Sequence, residues 1–185
     1  MEKAYDRAWR YGILRDLHAM GFRGNLPFYP FFYQELQNFS IKTRTFNVRI
    51  GNVLSRDFLQ TEGVPQGSVL SVLLFIIKIN GLLEQLPQYV TGSLFVDDLQ
   101  ISCASVNMAF IERQLQKAVG AITKWADNNG FIFSSQKTSC VHFCKLRGLH
   151  PDPEILLYGQ SIPVVSEQRF LGILFDSNFL LNHIF

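Results

Sequence analysis

Cysteine is scarce in this sequence, with only Cys103, Cys140 and Cys144 among 185 residues. An odd count without regular spacing excludes the disulfide framework of a small secreted domain and favours a reducing intracellular compartment. Cys140, His142 and Cys144 alternate along one segment, but they could only begin a zinc site, because no second pair of ligands with zinc-site spacing follows. Neither a disulfide scaffold nor a zinc-binding domain is favoured.

An excess of charge of either sign is also absent. Lysine and arginine total 17, aspartate and glutamate total 15, and the formal net charge is +2. Such a balance produces no long-range field that would indicate a nucleic-acid or membrane partner. Any polyanion would therefore have to bind a local patch.

Long hydrophobic runs are missing. The longest apolar stretch, "SVLSVLLFIIKINGLL", is interrupted by Lys78 and Asn80 and is short for a membrane span. The first residues are charged and lack the layout of a signal peptide, so we expect no targeting segment. The composition that is present, 48% hydrophobic and 14% aromatic, predicts one globular unit with a sizeable core.

Several segments show helical periodicity. The first repeats apolar residues at helical spacing, with Asp6 placed to cap the helix and Gly21 to end it. Another is amphipathic over more than five turns. The predicted helices cover residues 6–21, an irregular stretch from about Phe28 onward, residues 68–86 and about 107–127.

Alternating segments predict strands between these helices. One is a hairpin over "KTRTFNVRIGNVLSRDFLQTEG" with a tight turn at Gly51 and Asn52. A second is formed by the two halves of "SLFVDDLQIS". Shorter strands are predicted in "FIFS", "TSCVHFC", "ILLYG" with its turn at Gly159 and Gln160, and "RFLGILFD". This order predicts an α+β fold, in which helices pack on one face of a largely antiparallel sheet and leave the other face for a substrate.

The second hairpin contains two adjacent acids, Asp97 and Asp98. Neighbouring strand residues point to opposite faces, so a pair within the strand would bury one charge, whereas a tight turn lifts both to the edge of the sheet. One interpretation is a turn that favours Asp because its side chain bonds the local backbone. The other is a Mg²⁺ ligand pair, because crowded carboxylates repel each other unless a divalent cation binds them. The pair alone does not decide between them.

A small basic group lies on the first predicted hairpin. Lys42, Arg44 and Arg49 stand near one another there. They indicate either a solvated face or a surface that follows the phosphates of a nucleic acid.

Five segments of the sequence decide between the two interpretations of the acid pair, in favour of the Mg²⁺ ligands. In chain order they are "MEKAYDRAWR", "PQGSVLS", "FVDD", "GFIFSSQKT" and "FLGILFD". The set resembles the reverse transcriptases of non-LTR, LINE-type retrotransposons, most closely the jockey-like elements of animals. It covers nearly the whole chain. The resemblance implies the palm of a right-hand polymerase, with residues 1–178 as a partial reverse transcriptase domain, residues 179–185 as a truncated C-terminal tail, and the fingers and thumb missing.

The resemblance also implies a chemistry, Mg²⁺-dependent nucleotidyl transfer onto a primer 3′-hydroxyl. Two Mg²⁺ ions, for which Mn²⁺ could substitute, would be held by carboxylates, with Asp97 the stronger ligand candidate and Asp98 the weaker. The implied partners are an RNA template, a DNA primer and dNTPs, with no membrane and no obligate protein partner. The implied location is intracellular, in the nucleus for target-primed integration and in the cytoplasm as a ribonucleoprotein.

Four further residues receive roles from the same resemblance. Tyr5 would stack under the deoxyribose and exclude a 2′-hydroxyl, although a lone aromatic ahead of a helix is more often core. Gln66 and Gly67 would border the nucleotide, although "VPQG" alone reads as an entry into a helix. Lys137 would stabilise or protonate the pyrophosphate, although a lysine at an exposed strand end is usually inert.

One departure from the family pattern bears on activity. The leading Asp of the first segment is expected one position before Met1, and Asp6 looks like the second, structural acid of that segment. We therefore expect the chain as it stands to be an inactive or weakly active polymerase fragment. The alternative is a non-catalytic nucleic-acid-binding remnant of the element. A third possibility is a nucleotidyl cyclase, which has a similar palm-like layer and shares the metal-binding acids by fold analogy only. It is disfavoured because its chemistry does not require the segments "PQGS" and "FLG".

Overall fold

The computed structural model describes residues 1, 4–21, 44–60, 63, 69–144 and 151–177. The irregular helix predicted from Phe28 onward lies outside these residues. Contacts between residues divide the chain into two compact units, bounded by Met1–Gly81 with Asp127–Phe131 and by Leu82–Ala126 with Ile132–Phe185. Each unit is described by itself below.

The first predicted helix is two helices, α1 (Ala4–Arg7) and α2 (Arg10–Ala19). Asp6 lies within α1, so the prediction that it caps the helix was wrong; α2 instead begins after Trp9, whose backbone is extended and whose side chain caps nothing. The break has a long-range cause, because the carbonyl of buried Ala8 accepts a hydrogen bond from the Gly63 N–H at 3.0 Å. The predicted end is confirmed: Gly21 follows α2 with φ +88°.

The core of the first unit is aromatic and aliphatic. Helix α3 (Val69–Ile79) packs on α2, and Phe75 of α3 is fully buried. Its ring stacks on Tyr5 at 4.7 Å between centroids and meets the edge of Phe131 at 6.0 Å. Burial of these rings contributes to the hydrophobic stabilisation of this unit, together with aliphatic residues such as Ile13 and Leu74.

A lysine lies in the same core. The side chain of Lys78, on α3, is 0% exposed, and its ammonium donates to Asp16 Oδ2 at 2.8 Å. The ammonium also lies 5.8 Å from the centre of the Trp9 ring. A buried ammonium requires such partners, since an unpaired charge in a core is strongly unfavourable.

The first predicted hairpin is present, with its tight turn at Gly51 and Asn52 confirmed and φ +60° at Gly51. The pairing is interrupted because Asn47 Nδ2 donates to the Ser55 carbonyl at 3.1 Å and to the carboxylate of Asp57 at 2.6 Å. Four short strands result, with the outer two paired together and the inner two paired together. They are β1 (Arg44–Phe46), β2 (Arg49–Ile50), β3 (Val53–Leu54) and β4 (Phe58–Gln60).

A hairpin and a long helix organise the second unit. A 3-10 helix, Asn80–Gln85, leads into strands β5 (Thr91–Phe95) and β6 (Asp98–Ser102), which pair antiparallel. Helix α4 (Met108–Asn129) follows, and its start is capped by Asn107 Oδ1, which accepts from the Phe110 N–H at 3.2 Å. The predicted amphipathic helix is thus confirmed.

The C-terminal strands are shorter than predicted. "FIFS" forms no strand: Phe131 and Phe133 are buried, the Phe133 N–H donates to the Tyr158 hydroxyl at 3.2 Å, and a 3-10 turn follows at Ser135–Lys137. The turn in "ILLYG" lies at Tyr158 and Gly159, one residue earlier than predicted. The strands are β7 (Cys140–Val141), β8 (Leu156–Leu157), β9 (Gln160–Ser161), β10 (Val164–Val165), β11 (Glu167–Phe170) and β12 (Ile173–Asp176).

The described strands pair in twos, forming six two-stranded sheets, of which only β7 with β10 is parallel. The fold is mixed, with helices and small, mostly antiparallel sheets, where the sequence predicted one layer. The described strands are two to five residues long, and within that part of the chain none of them pairs with a second neighbour. Among the described residues, no helix combines the length and the apolar character needed to cross a membrane.

Candidate active site at the acidic hairpin

The acid pair occupies the turn of the β5–β6 hairpin. Phe95 pairs with Asp98, so the connection consists of Val96 and Asp97 alone. Asp97 therefore lies in the turn and is half-buried, whereas Asp98 is exposed and opens β6. The predicted two-carboxylate tip is present, with the two acids in different backbone environments.

The turn is strained at Val96, whose φ is +54°. Two-residue hairpin loops favour positive φ because their twist then matches the strands, but this region suits glycine and is unfavourable for a β-branched side chain. The sequence gives no sign of this strain, since "FVDD" has no glycine. The hairpin on both sides holds the strained residue in place.

Replacing Val96 with glycine should stabilise the hairpin by about 1 kcal/mol, because relief of backbone strain exceeds the entropy cost of the glycine. Urea unfolding combined with amide exchange at Phe95 and Asp98 measures this. Val106→Gly is the matched control, since Val106 is fully exposed without positive φ and its loss should be slightly destabilising. If Val96→Gly destabilises as Val106→Gly does, the turn is not strained.

The acid pair has the donor chemistry of a magnesium site but supplies only part of one. Carboxylate oxygens are the ligands that Mg²⁺ prefers. Among the residues described, no group of three or more His, Cys, Asp or Glu side chains could hold a metal ion. Asp97 and Asp98 thus fit as two ligands that need further oxygens from water, substrate or another carboxylate.

Lys137 belongs to the same unit as the acid pair. It ends the 3-10 turn Ser135–Lys137 and is exposed, so the description of it as a strand-end lysine was wrong. The reason is local, because the Lys137 N–H donates to the Ser134 carbonyl at 3.3 Å and closes a turn where the strand was predicted. Its proposed action on pyrophosphate stays a prediction.

Tyr5 belongs to the other unit, on α1, and is half-buried. Its ring stacks on that of core Phe75 with an interplanar angle of 21°. This contact favours the core alternative that the sequence left open, because one face of the ring is already covered. The role beside the deoxyribose stays a prediction.

The remaining predicted residues are placed only in part. Gln66, Gly67 and Lys42 lie outside the described residues, and Arg44 is described only in its backbone, as part of β1. Arg49 is exposed on β2, and its Nε donates to the Gly51 carbonyl at 3.0 Å. The basic group predicted from the sequence did not include Arg56, which lies on the same hairpin. Its guanidinium lies 5.4 Å from the centre of the exposed Phe58 ring.

The pKa is raised for two of the thiols. Burial raises the pKa of the Cys103 thiol, which follows β6 directly. Burial, and then the carboxylate of Asp152, raises the pKa of Cys140. A thiol whose pKa is raised is a poor nucleophile and a poor metal ligand at neutral pH. Neither thiol is therefore favoured as a ligand beside the acid pair.

The sequence is similar to those of known proteins over most of its length. A sequence profile described as "Reverse transcriptase (RNA-dependent DNA polymerase)" matches residues 1–175. Over 182 residues, 95% of this chain, the sequence is 26% identical to "RNA-directed DNA polymerase from mobile element jockey" of Drosophila melanogaster. It is also 26% identical over 183 residues to "Probable RNA-directed DNA polymerase from transposon BS" of the same species. In each case the match covers 19% of the relative, so the chain spans about a fifth of the length of these curated relatives.

Proposed function

The chain belongs to the reverse transcriptase (RNA-dependent DNA polymerase) family, and on that premise we propose that it forms part of the palm of an RNA-directed DNA polymerase from a non-LTR retrotransposon. The observation that carries the proposal is the placement of Asp97 and Asp98 at the tip of a two-residue hairpin turn. We propose residues 1–178 as the partial domain. Its two compact units both contain residues matched by the family.

In this proposal Asp97 and Asp98 hold Mg²⁺, or Mn²⁺ in its place. When bound, the metal would favour the deprotonated primer 3′-hydroxyl and neutralise charge on the triphosphate. Asp97 contributes most, since the resemblance makes it the stronger ligand candidate and it is half-buried in the turn. Asp98 is exposed and holds the metal less firmly.

The substrates we propose are an RNA template, a DNA primer and dNTPs. Tyr5, Gln66 and Gly67 would border the nucleotide, and Lys137 would act on the pyrophosphate. These four roles rest on the resemblance of "MEKAYDRAWR", "PQGSVLS" and "GFIFSSQKT" to segments of the family. The nucleus, for target-primed integration, and the cytoplasm, for the ribonucleoprotein, are the proposed locations.

The 185-residue polypeptide by itself should polymerise weakly or not at all. Its described residues hold no cluster of three acids, and it spans about a fifth of the length of its relatives. In well-oriented systems, correct positioning of the reactants lowers the activation free energy by about 7 kcal/mol or more. Incomplete positioning of primer and nucleotide loses part of this contribution. Robust cDNA synthesis by this polypeptide would contradict that expectation.

A chimera tests the function. Residues 1–175 replace the matching segment of the Drosophila melanogaster jockey polymerase, and extension of oligo(dT) on poly(rA) is measured with Mg²⁺ and with Mn²⁺. We expect extension that requires the metal. A folded chimera that binds the primer–template without extending it would support the non-catalytic alternative instead. Circular dichroism and thermal melting establish that the chimera is folded.

A further inference from the structure

One glycine of the acid-bearing hairpin lies against two leucine side chains, which would have to move to admit a larger residue. Gly92 lies near the start of β5, opposite Ile101 of β6. A Cβ at this position would overlap Leu86 Cδ1 and would lie 2.8 Å from Leu83 Cδ2. The backbone of Gly92 does not have positive φ, so what a larger residue would disturb here is the contact with the leucines and not the backbone conformation.

The two leucines are held by the segment that leads into the hairpin. The Leu86 N–H donates to the Leu83 carbonyl at 3.2 Å, and the Val90 N–H donates to the Pro87 carbonyl at 3.0 Å. Val90, which immediately precedes β5, is buried. Because these turns join the leucines to the first residue of β5, a shift of the leucines and a shift of the strand are coupled.

Strand pairing alone does not fix the position of the hairpin within its unit. In the described part of the chain, β5 and β6 pair only with each other, and a two-stranded hairpin is marginal without packing against a neighbour. At its base the hydroxyls of Thr91 and Ser102 lie 2.8 Å apart, which joins the strands to each other. The contact of Gly92 with the leucine pair, Leu83 and Leu86, is one of the contacts that join the hairpin to the rest of its unit, and it lies at the base of the hairpin.

We propose that Gly92 is a positioning residue for the acidic turn. The absence of a side chain lets β5 lie directly against the leucine pair, and this contact sets the location of Asp97 and Asp98. From Gly92 to the end of β5 is about 10 Å of extended strand, so a side chain that lifts the base of the hairpin tilts its tip. The metal consequence rests on the proposed function, whereas the displacement of the turn does not.

The test compares Gly92→Ala and Gly92→Val with a size-compensating double variant, Gly92→Val with Leu86→Ala, in the 185-residue chain. The first readout is the set of ¹H–¹⁵N amide resonances of Val96, Asp97 and Asp98 without metal. We expect them to move in Gly92→Ala, to move further in Gly92→Val, and to return toward wild type in the double variant. Gly120→Ala is the matched control, because a Cβ at Gly120 of α4 meets nothing within 4 Å.

The second readout is the Mn²⁺ concentration that broadens the same three resonances. We expect Gly92→Val to weaken Mn²⁺ binding on the order of tenfold, the effect seen when groups that orient metal ligands are lost. The double variant should recover part of it. Gly120→Ala should leave it unchanged.

The two readouts separate the proposals. Metal-free resonances that stay at their wild-type positions in Gly92→Val, or that do not return in the double variant, would overturn the positioning role. A wild-type chain whose turn is not broadened by Mn²⁺ would count against the metal site and leave the positioning result standing. If Gly92→Val does not fold, Gly92→Ala decides by the same criterion.

Discussion

Replacing Asp97 with asparagine is expected to lower primer extension by the chimeric polymerase on the order of a thousandfold, the scale of losing one preorganised electrostatic group at a reacting centre. The side chain keeps nearly the same size but loses its charge, and a neutral amide oxygen binds Mg²⁺ less strongly than a carboxylate. The turn should persist, because its backbone pairing between Phe95 and Asp98 does not involve this side chain.

Two controls accompany that measurement. Asp98→Asn should cost less, because Asp98 is exposed and is the weaker ligand candidate. Asp127→Asn removes an exposed acid from α4 and should leave the rate unchanged. Equal rates for Asp97→Asn and Asp127→Asn would contradict the assignment of Asp97 to the reaction.

The second large effect concerns stability. Asp16→Ala should lower the free energy of unfolding by about 3 kcal/mol, because it leaves the Lys78 ammonium without its carboxylate partner in a core where it is 0% exposed. Urea unfolding measures the change. For a chain of this size the midpoint of thermal unfolding should fall by about 6–12 °C.

Removing the other partner of the ion pair, by Lys78→Met, should lower the free energy of unfolding much less than Asp16→Ala does. This difference between the two variants tests the explanation. Lys78→Met keeps the volume of the side chain and removes the buried charge. Asp16 is then left 25% exposed or more, and its Oδ1 still lies 3.3 Å from Arg15 Nε. A Lys78→Met variant as unstable as Asp16→Ala would mean that the ion pair itself, and not the buried charge, carries the stability.

Local patterns predicted the elements whose signals repeat along the chain. Helix α4 was predicted nearly to its ends, because its apolar residues recur over many turns and Asn107 supplies an ordinary cap. The tight turns at Gly51 and within "FVDD" were predicted from alternation on both sides. In these cases neighbours in sequence decide the structure.

Long-range partners account for what was missed. The break between α1 and α2 depends on the Gly63 N–H that bonds the Ala8 carbonyl, and the burial of Lys78 depends on Asp16, 62 positions away. "FIFS" alternates correctly for a strand, but alternation reports burial and does not supply a pairing strand.

In the candidate site, too, some features could be predicted from neighbouring residues and others could not. The acid pair was recognisable from its position between two alternating segments, and its family from five ordered segments. The strain at Val96 and the contact of Gly92 with Leu83 and Leu86 could not be recognised from the sequence, because both depend on the folded structure. A third metal-binding acid is not found among the described residues.

The central claim is that the tip of the β5–β6 hairpin binds the divalent metal. Iron-mediated cleavage tests it most directly: the 185-residue chain is treated with Fe²⁺, ascorbate and peroxide, and the cut positions are mapped by mass spectrometry. We predict cuts at residues 96–98 that excess Mg²⁺ suppresses and that the Asp97→Asn/Asp98→Asn double variant lacks. Cuts confined to other segments, or cuts at residues 96–98 that persist in the double variant, would contradict the claim.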